Sequence, residues 1–114
     1  MDTAALKQAV CDRVDELADR LIDASHQIHA HPELNFEEHF AHELLTGILE
    51  REGVAPVRHA YDLATAFDAA VGSNGPTIAV LCEYDALPGS EFANEYEPGL
   101  DNILEGLDRT RRKR

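Results

Sequence analysis

The chain has 114 residues, of which 44% are hydrophobic and none is Trp, so it has room for one small, mainly aliphatic core. All 22 acidic residues but only five of the ten basic ones lie in residues 1–108, which gives this body a formal charge of −17. Such a body repels nucleic acid and anionic membranes, and without an apolar run of about 20 residues or a signal peptide we expect a cytoplasmic protein.

The first half of the chain predicts two amphipathic helices. In residues 6–28 apolar side chains recur at steps of three, four or seven with acidic side chains between them. This helix is expected to be capped by Asp2 or Thr3 and to end near Ala30, because Pro32 disfavours helical geometry at the residue before it.

A second helix is expected to open at Asn35. Asn35 and Glu38 have the spacing of a capping box, and the apolar side chains of residues 40–49 recur with helical period. Gly53 is expected to close this helix, because glycine readily adopts the left-handed conformation that ends helices.

Three strands are predicted after the helices. Alternating side chains indicate short strands over residues 57–61 and 67–71, and Gly and Ser then turn the chain. Thr77–Cys82 is apolar without alternation, which is typical of a strand buried on both faces of a mostly parallel sheet. The expected fold class is therefore α/β, with two helices followed by three strands.

Two carboxylates, Glu83 and Asp85, stand just beyond this third strand. In open α/β sheets ligands and catalytic groups collect at the carboxyl ends of strands, so part of a candidate active site is expected here. A solvated acidic loop is the alternative.

Residues 90–114 differ in character from the rest of the chain. They contain an acidic stretch, a short apolar pattern and a basic end, RTRRKR. The basic end favours nucleic-acid binding only weakly, because the rest of the chain is strongly acidic.

Two motifs, HAHPEL at residues 29–34 and EYDALPG at residues 83–89, carry a family resemblance. In this order and spacing they resemble the N-terminal part of the M20 metallopeptidases and amidohydrolases, in the branch that holds aminobenzoyl-glutamate hydrolases and M20 domain-containing protein 2 dipeptidases. The resemblance covers roughly residues 6–89. It implies the first part of a zinc-peptidase-like catalytic domain, with residues 90–114 forming a segment foreign to the family.

The resemblance implies hydrolysis of an amide bond next to a carboxylate by two divalent metal ions, usually zinc, cobalt or manganese. The substrate would be a small-molecule amide or dipeptide. Asp85 matches the residue that orients a metal-bound His in the family, and HAHPEL matches a motif whose role looks structural. Glu83 falls where other branches of the family place a first metal-binding His. In the branch that this chain resembles, the resemblance implies that a Cys and a His of a downstream GHACGHN-type motif bind the metal instead.

This chain departs from the family after Gly89. No His follows His59, no Cys follows Cys82, and neither the GHACGHN-type motif nor the Glu pair with the general base is present. Glu83 and Asp85 cannot hold two metals by themselves. We therefore expect no metal cofactor for this chain alone and no activity, as for a truncated, internally deleted or frame-shifted hydrolase.

The remaining candidate ligands have structural interpretations. His26 and His29 share a helix face and could bind a metal, but a surface or capping role near the helix end is favoured, in line with the structural role of HAHPEL in the family. His39 and His42 share a face of the second helix without a carboxylate partner arranged by the sequence, so structural or exposed roles are favoured there too. Cys11 and Cys82 belong to no CxxC pair; two reduced thiols are expected, with Cys82 buried.

Two alternatives to an inactive M20 relative remain open. The chain could be a small acidic interaction module that offers an unfinished sheet edge to a full-length relative. It could also be one half of a split hydrolase whose missing ligands come from a second polypeptide.

Overall fold

The computed structural model describes residues 2–89 of the chain. They form two α-helices followed by a small two-stranded sheet, which is consistent with the predicted α/β class. The elements in chain order are α1 (Thr3–Ala30), α2 (His39–Arg51), β1 (Val57–Arg58), a 3-10 turn (Ala60–Asp62) and β2 (Phe67–Asp68).

Helix α1 has the limits that the sequence predicts. The Asp2 side chain caps it by accepting a hydrogen bond of 2.6 Å from the Ala4 amide. The helix ends at Ala30, two residues before Pro32, and the His31 amide donates back to the Ile28 carbonyl. Within residues 2–89 no helix is long and apolar enough to cross a membrane.

Helix α2 starts four residues later than the expected cap at Asn35, and this prediction was wrong. Residues 35 and 36 form a turn in which Phe36 has a φ of +68°, outside the right-handed helical region. The Glu38 side chain makes no cap hydrogen bond either. The predicted end is confirmed: Gly53 has a φ of +78°, and the Val54 amide donates to the Leu49 carbonyl as in a Schellman motif.

Small side chains of both helices are buried, and ion pairs join the middle of α1 to the end of α2. Ala24 of α1 and Ala41 and Thr46 of α2 are buried. Arg13 and Arg20 of α1 both bind the Glu52 carboxylate that follows α2. A second arginine cluster ties the sheet to α2, because Arg58 of β1 binds the carboxylates of Glu43 and Glu50.

Strands β1 and β2 pair antiparallel, but each is shorter than predicted. Val57 lies opposite Asp68 and Arg58 opposite Phe67. The predicted first strand stops after Arg58 because His59 and Tyr61 have φ values of +55° and +58°, which extended chain does not adopt. These left-handed residues turn the chain into the 3-10 segment instead.

The predicted buried strand Thr77–Cys82 is neither a strand nor buried. Ile78, Val80 and Leu81 are 85%, 82% and 96% exposed, and Cys82 is also exposed rather than buried. An apolar run becomes a central strand only when neighbouring strands take up its backbone hydrogen bonds. In residues 2–89 the two short strands pair with each other, and no strand pairs with this run.

Candidate functional site

The two motifs that carry the family resemblance are in direct contact. Leu34 of the HAHPEL motif forms an isolated parallel bridge with Ala86 of the EYDALPG motif. In this bridge the Ala86 amide donates a hydrogen bond of 2.7 Å to the Glu33 carbonyl. The contact joins segments about 50 positions apart in sequence, and it places Asp85 beside the turn that precedes α2.

The Glu33 carboxylate fixes that turn to the start of α2. Its two oxygens accept hydrogen bonds of 2.8 Å and 3.0 Å from the amides of Phe40 and Ala41. These are amides that a helix leaves without partners in its first turn, and the negative charge also suits the positive end of the helix dipole. Glu33 therefore takes the capping role that the sequence assigned to Asn35.

A short chain of hydrogen bonds holds the other side of the EYDALPG motif. The Tyr84 hydroxyl donates to the Thr65 carbonyl, and the Thr65 hydroxyl donates over 2.6 Å to the Glu38 carboxylate. Thr65 and Glu38 are both buried. The Tyr84 ring also stacks on Phe67 of β2, with ring centroids 6.0 Å apart. Tyr84 is therefore held both by β2 and by Thr65 in the loop that precedes β2.

Two groups in this series of hydrogen bonds, the Glu38 carboxyl and the Tyr84 phenol, have shifted pKa values. Burial raises the pKa of the Glu38 carboxyl, but hydrogen bonds from the Thr65 hydroxyl and backbone amides outweigh burial, so the pKa lies below its ordinary value. Burial raises the pKa of the Tyr84 phenol, and the negative charges of Glu38 and Glu33 raise it further. Near neutral pH Glu38 is therefore an ionised acceptor and Tyr84 a neutral donor.

An open cleft of about 200 Å³ lies over this arrangement. Glu83 and Asp85 line it together with Glu38, Thr65 and Phe36, so the structure brings both predicted strand-end carboxylates to one depression. Glu83 and Asp85 are exposed, and neither carboxylate makes a hydrogen bond to another of the described residues. Small-molecule pockets usually enclose roughly 300 Å³ or more, so this cleft alone is small for a dipeptide.

The donor set of the cleft does not fit the two metals that the family resemblance implies. A dinuclear site needs several His, Asp or Glu ligands converging on each ion. Among residues 2–89 no three His, Cys, Asp or Glu side chains lie close enough together to hold one ion. Residues 90–114 contain no His or Cys to add.

The histidines lie apart from the cleft carboxylates. His26 and His29 are exposed on α1, and His39 is exposed at the start of α2. His42 is buried, with 2% of its surface exposed; its ring stacks on that of His59 at 5.2 Å between centroids. Its Nε2 atom has no hydrogen-bond partner among the described residues. His42 is therefore a packing residue of α2.

Sequence reasoning missed the two residues that organise the cleft, Glu33 and Thr65. Glu33 caps a helix whose first bonded amide is seven residues away, and Thr65 meets Glu38 across 27 positions, so no local spacing marks either one. The only available signal for Glu33 was its place inside the HAHPEL motif.

Cys11 and Cys82 are both free thiols and both exposed.

Comparison with known proteins relates the chain to enzymes named for the hydrolysis of amide bonds. It is 37% identical to the Xaa-Arg dipeptidase of Homo sapiens over 132 aligned positions, which cover 96% of this chain and 30% of that protein. It is 42% identical to the Xaa-Arg dipeptidase of Mus musculus over 93 positions, covering 73% of this chain and 22% of that protein. Over the aligned residues these matches support a relation of the chain to the M20 family of metallopeptidases and amidohydrolases.

A bacterial relative lies in the second enzyme group that the resemblance named. The chain is 40% identical to one of the subunits of the p-aminobenzoyl-glutamate hydrolase of Escherichia coli K12 over 78 positions, covering 68% of this chain and 16% of that protein. No family model matches the chain, and no solved structure matches it.

The chain spans less than a third of the length of these relatives. The alignment with the human protein covers 96% of the chain and so extends past Gly89 into the segment predicted to be foreign to the family. The division into residues 1–89 and 90–114 stays a prediction.

Proposed function

We propose that this chain supplies one part of an M20-type hydrolase site, in which Asp85 orients a metal-binding side chain, and that the chain alone does not hydrolyse substrate. The names of the relatives supply the substrate class: a dipeptide that contains Arg, or p-aminobenzoyl-glutamate. Each is an amide whose amine-derived part is an amino acid.

The contact between the two motifs is the observation that carries this proposal. The Leu34–Ala86 bridge and the Glu33–Ala86 hydrogen bond bring the EYDALPG motif against the segment that precedes α2, and Asp85 lines the cleft. A solvated acidic loop needs no such anchoring. The cleft residues do not by themselves fit a dinuclear metal site, so residues outside 2–89 would have to complete the set of metal ligands.

A chimera tests the role of Asp85 directly. Residues 1–89 replace the aligned segment of the human Xaa-Arg dipeptidase, and hydrolysis of an Arg-containing dipeptide is measured with zinc, cobalt or manganese. We expect an active chimera that loses about 10- to 100-fold in activity on Asp85→Asn, because residues that orient metal ligands have effects of that size. Asp19→Asn, the same change on the exposed acidic face of α1, is the matched control. An Asp85→Asn chimera as active as the control would refute the assignment.

A protein-interaction module is the second candidate, and the exposed run Ile78–Leu81 favours it. Three of its four side chains are more than four fifths exposed, and its backbone pairs with no strand in residues 2–89. An extended apolar segment of this kind can add as a strand to the sheet of another protein, such as a full-length relative or the second half of a split hydrolase.

Binding of the whole chain to the human relative distinguishes the second candidate. A specific 1:1 complex in analytical ultracentrifugation, abolished by Val80→Pro because proline cannot donate to a strand ladder, would support an interaction module. A chain that stays monomeric in the presence of the human relative would exclude that protein as a partner. The chimera experiment is unaffected by either outcome.

A further inference from the structure

We propose that Glu33 and Glu38 are positioning residues for Asp85. They act on the two residues that flank it: Glu33 through Ala86 and Glu38 through Tyr84. This inference rests on the proposed function, since it gives Asp85 its importance, but the contacts behind it stand independently.

The need for positioning follows from the Asp85 side chain itself. Its carboxylate is exposed and makes no hydrogen bond to another of the described residues, so no hydrogen bond within residues 2–89 fixes its direction. An orienting carboxylate must nevertheless be held close to its productive geometry. Among residues 2–89 the backbone on either side of Asp85 supplies that constraint.

Glu33 constrains the C-terminal side. Its carboxylate is bound to the amides of Phe40 and Ala41, so the residue is fixed to the first turn of α2. Its carbonyl then accepts the Ala86 amide at 2.7 Å. One residue therefore transfers the rigidity of a 13-residue helix to the peptide directly after Asp85.

Glu38 constrains the N-terminal side through Thr65. The buried Glu38 carboxylate accepts the Thr65 hydroxyl at 2.6 Å, and the Thr65 carbonyl accepts the Tyr84 hydroxyl. Glu38 directly precedes α2, so both constraints on Asp85 lead back to the same end of the same helix. Loss of either one leaves Asp85 held on one side only.

Hydrogen exchange in the full 114-residue chain tests this inference without metal or substrate. Thr65→Val removes the hydroxyl that links Glu38 to the loop, whereas Thr65→Ser keeps it. We expect Thr65→Val to speed exchange at the Ala86 amide about fivefold or more, because loss of one hydrogen bond on the Tyr84 side lets the segment that carries this amide open more often. Exchange at the Thr46 amide inside α2 should stay unchanged. Thr65→Ser should leave both amides as in the parent chain, and so should Glu37→Gln, a change at an exposed residue next to Glu38.

Two results would overturn the inference. Equal acceleration at Ala86 and Thr46 would mean that Thr65 serves general stability, and no acceleration at Ala86 would mean that Glu38 does not act on this segment. If Thr65→Val does not fold, Tyr84→Phe removes the hydrogen bond from Tyr84 to the Thr65 carbonyl and leaves the Thr65–Glu38 hydrogen bond in place. The same faster exchange at Ala86, with Thr46 unchanged, is then expected. An inactive chimera with the expected exchange pattern would reject the proposed function alone.

Discussion

Replacement of Glu33 by alanine is expected to destabilise the chain by about 2 kcal/mol. The change removes two hydrogen bonds from a carboxylate to the amides of Phe40 and Ala41, at 2.8 Å and 3.0 Å. Loss of a helix cap costs about 0.5–2 kcal/mol, and loss of a charge that complements the helix dipole costs about 0.3–1 kcal/mol more. Glu33→Gln keeps one acceptor oxygen, so about half of the effect is expected.

Urea unfolding followed by circular dichroism measures this free energy. The midpoint should fall while the slope with urea stays constant, because the change removes a cap and leaves the buried area nearly the same. Glu37→Ala deletes an exposed carboxylate from the same turn and should change stability by less than about 0.5 kcal/mol. If Glu33→Ala costs no more than Glu37→Ala, Glu33 is not the cap of α2.

Three further predictions follow from individual contacts. His42→Leu should raise the Tm by about 4–8 °C in calorimetry, because it removes a buried Nε2 atom that has no partner among the described residues; a lower Tm would mean that this atom is hydrogen-bonded. Because the pKa of Glu38 is lower in the folded chain, its carboxylate stabilises the fold fully above about pH 4.5, and this stability is lost as the pH falls through the lowered pKa. Glu38→Gln should therefore reduce the loss of stability at acid pH. An unchanged loss would exclude Glu38 as its source. Cys11 and Cys82 are exposed, so both should react with a thiol reagent within minutes in the native chain, whereas slow reaction of Cys82 would indicate that its segment is covered.

Local patterns predicted the helices well, because the forces that set their limits are local. The Asp2 cap, the end at Ala30 and the closure at Gly53 each depend on a few neighbouring residues. The start of α2 failed for the opposite reason. Asn35 and Glu38 have the spacing of a capping box, but a carboxylate from outside the pattern, that of Glu33, takes the free amides.

The third strand shows what an apolar run cannot determine. The composition of Thr77–Cys82 indicates a segment suited to burial on both faces, but burial requires partners that composition does not supply. In the described part of the chain those partners are missing, and Leu81 is 96% exposed. Asp85 could be selected from the sequence because it belongs to a motif. Its anchors, Thr65 and Glu38, meet only in the folded chain.

Zinc binding by the purified 114-residue chain tests the central claim most directly, namely that the chain supplies part of an M20-type site but not the metal ligands. Calorimetric titration with zinc, repeated with cobalt and manganese, gives the number of ions bound per chain and their affinity. We expect weak, non-stoichiometric binding that is the same for the parent chain and for Asp85→Asn. Tight binding of one or two ions per chain, lost on Asp85→Asn, would contradict this account and show a metal site that the chain builds by itself.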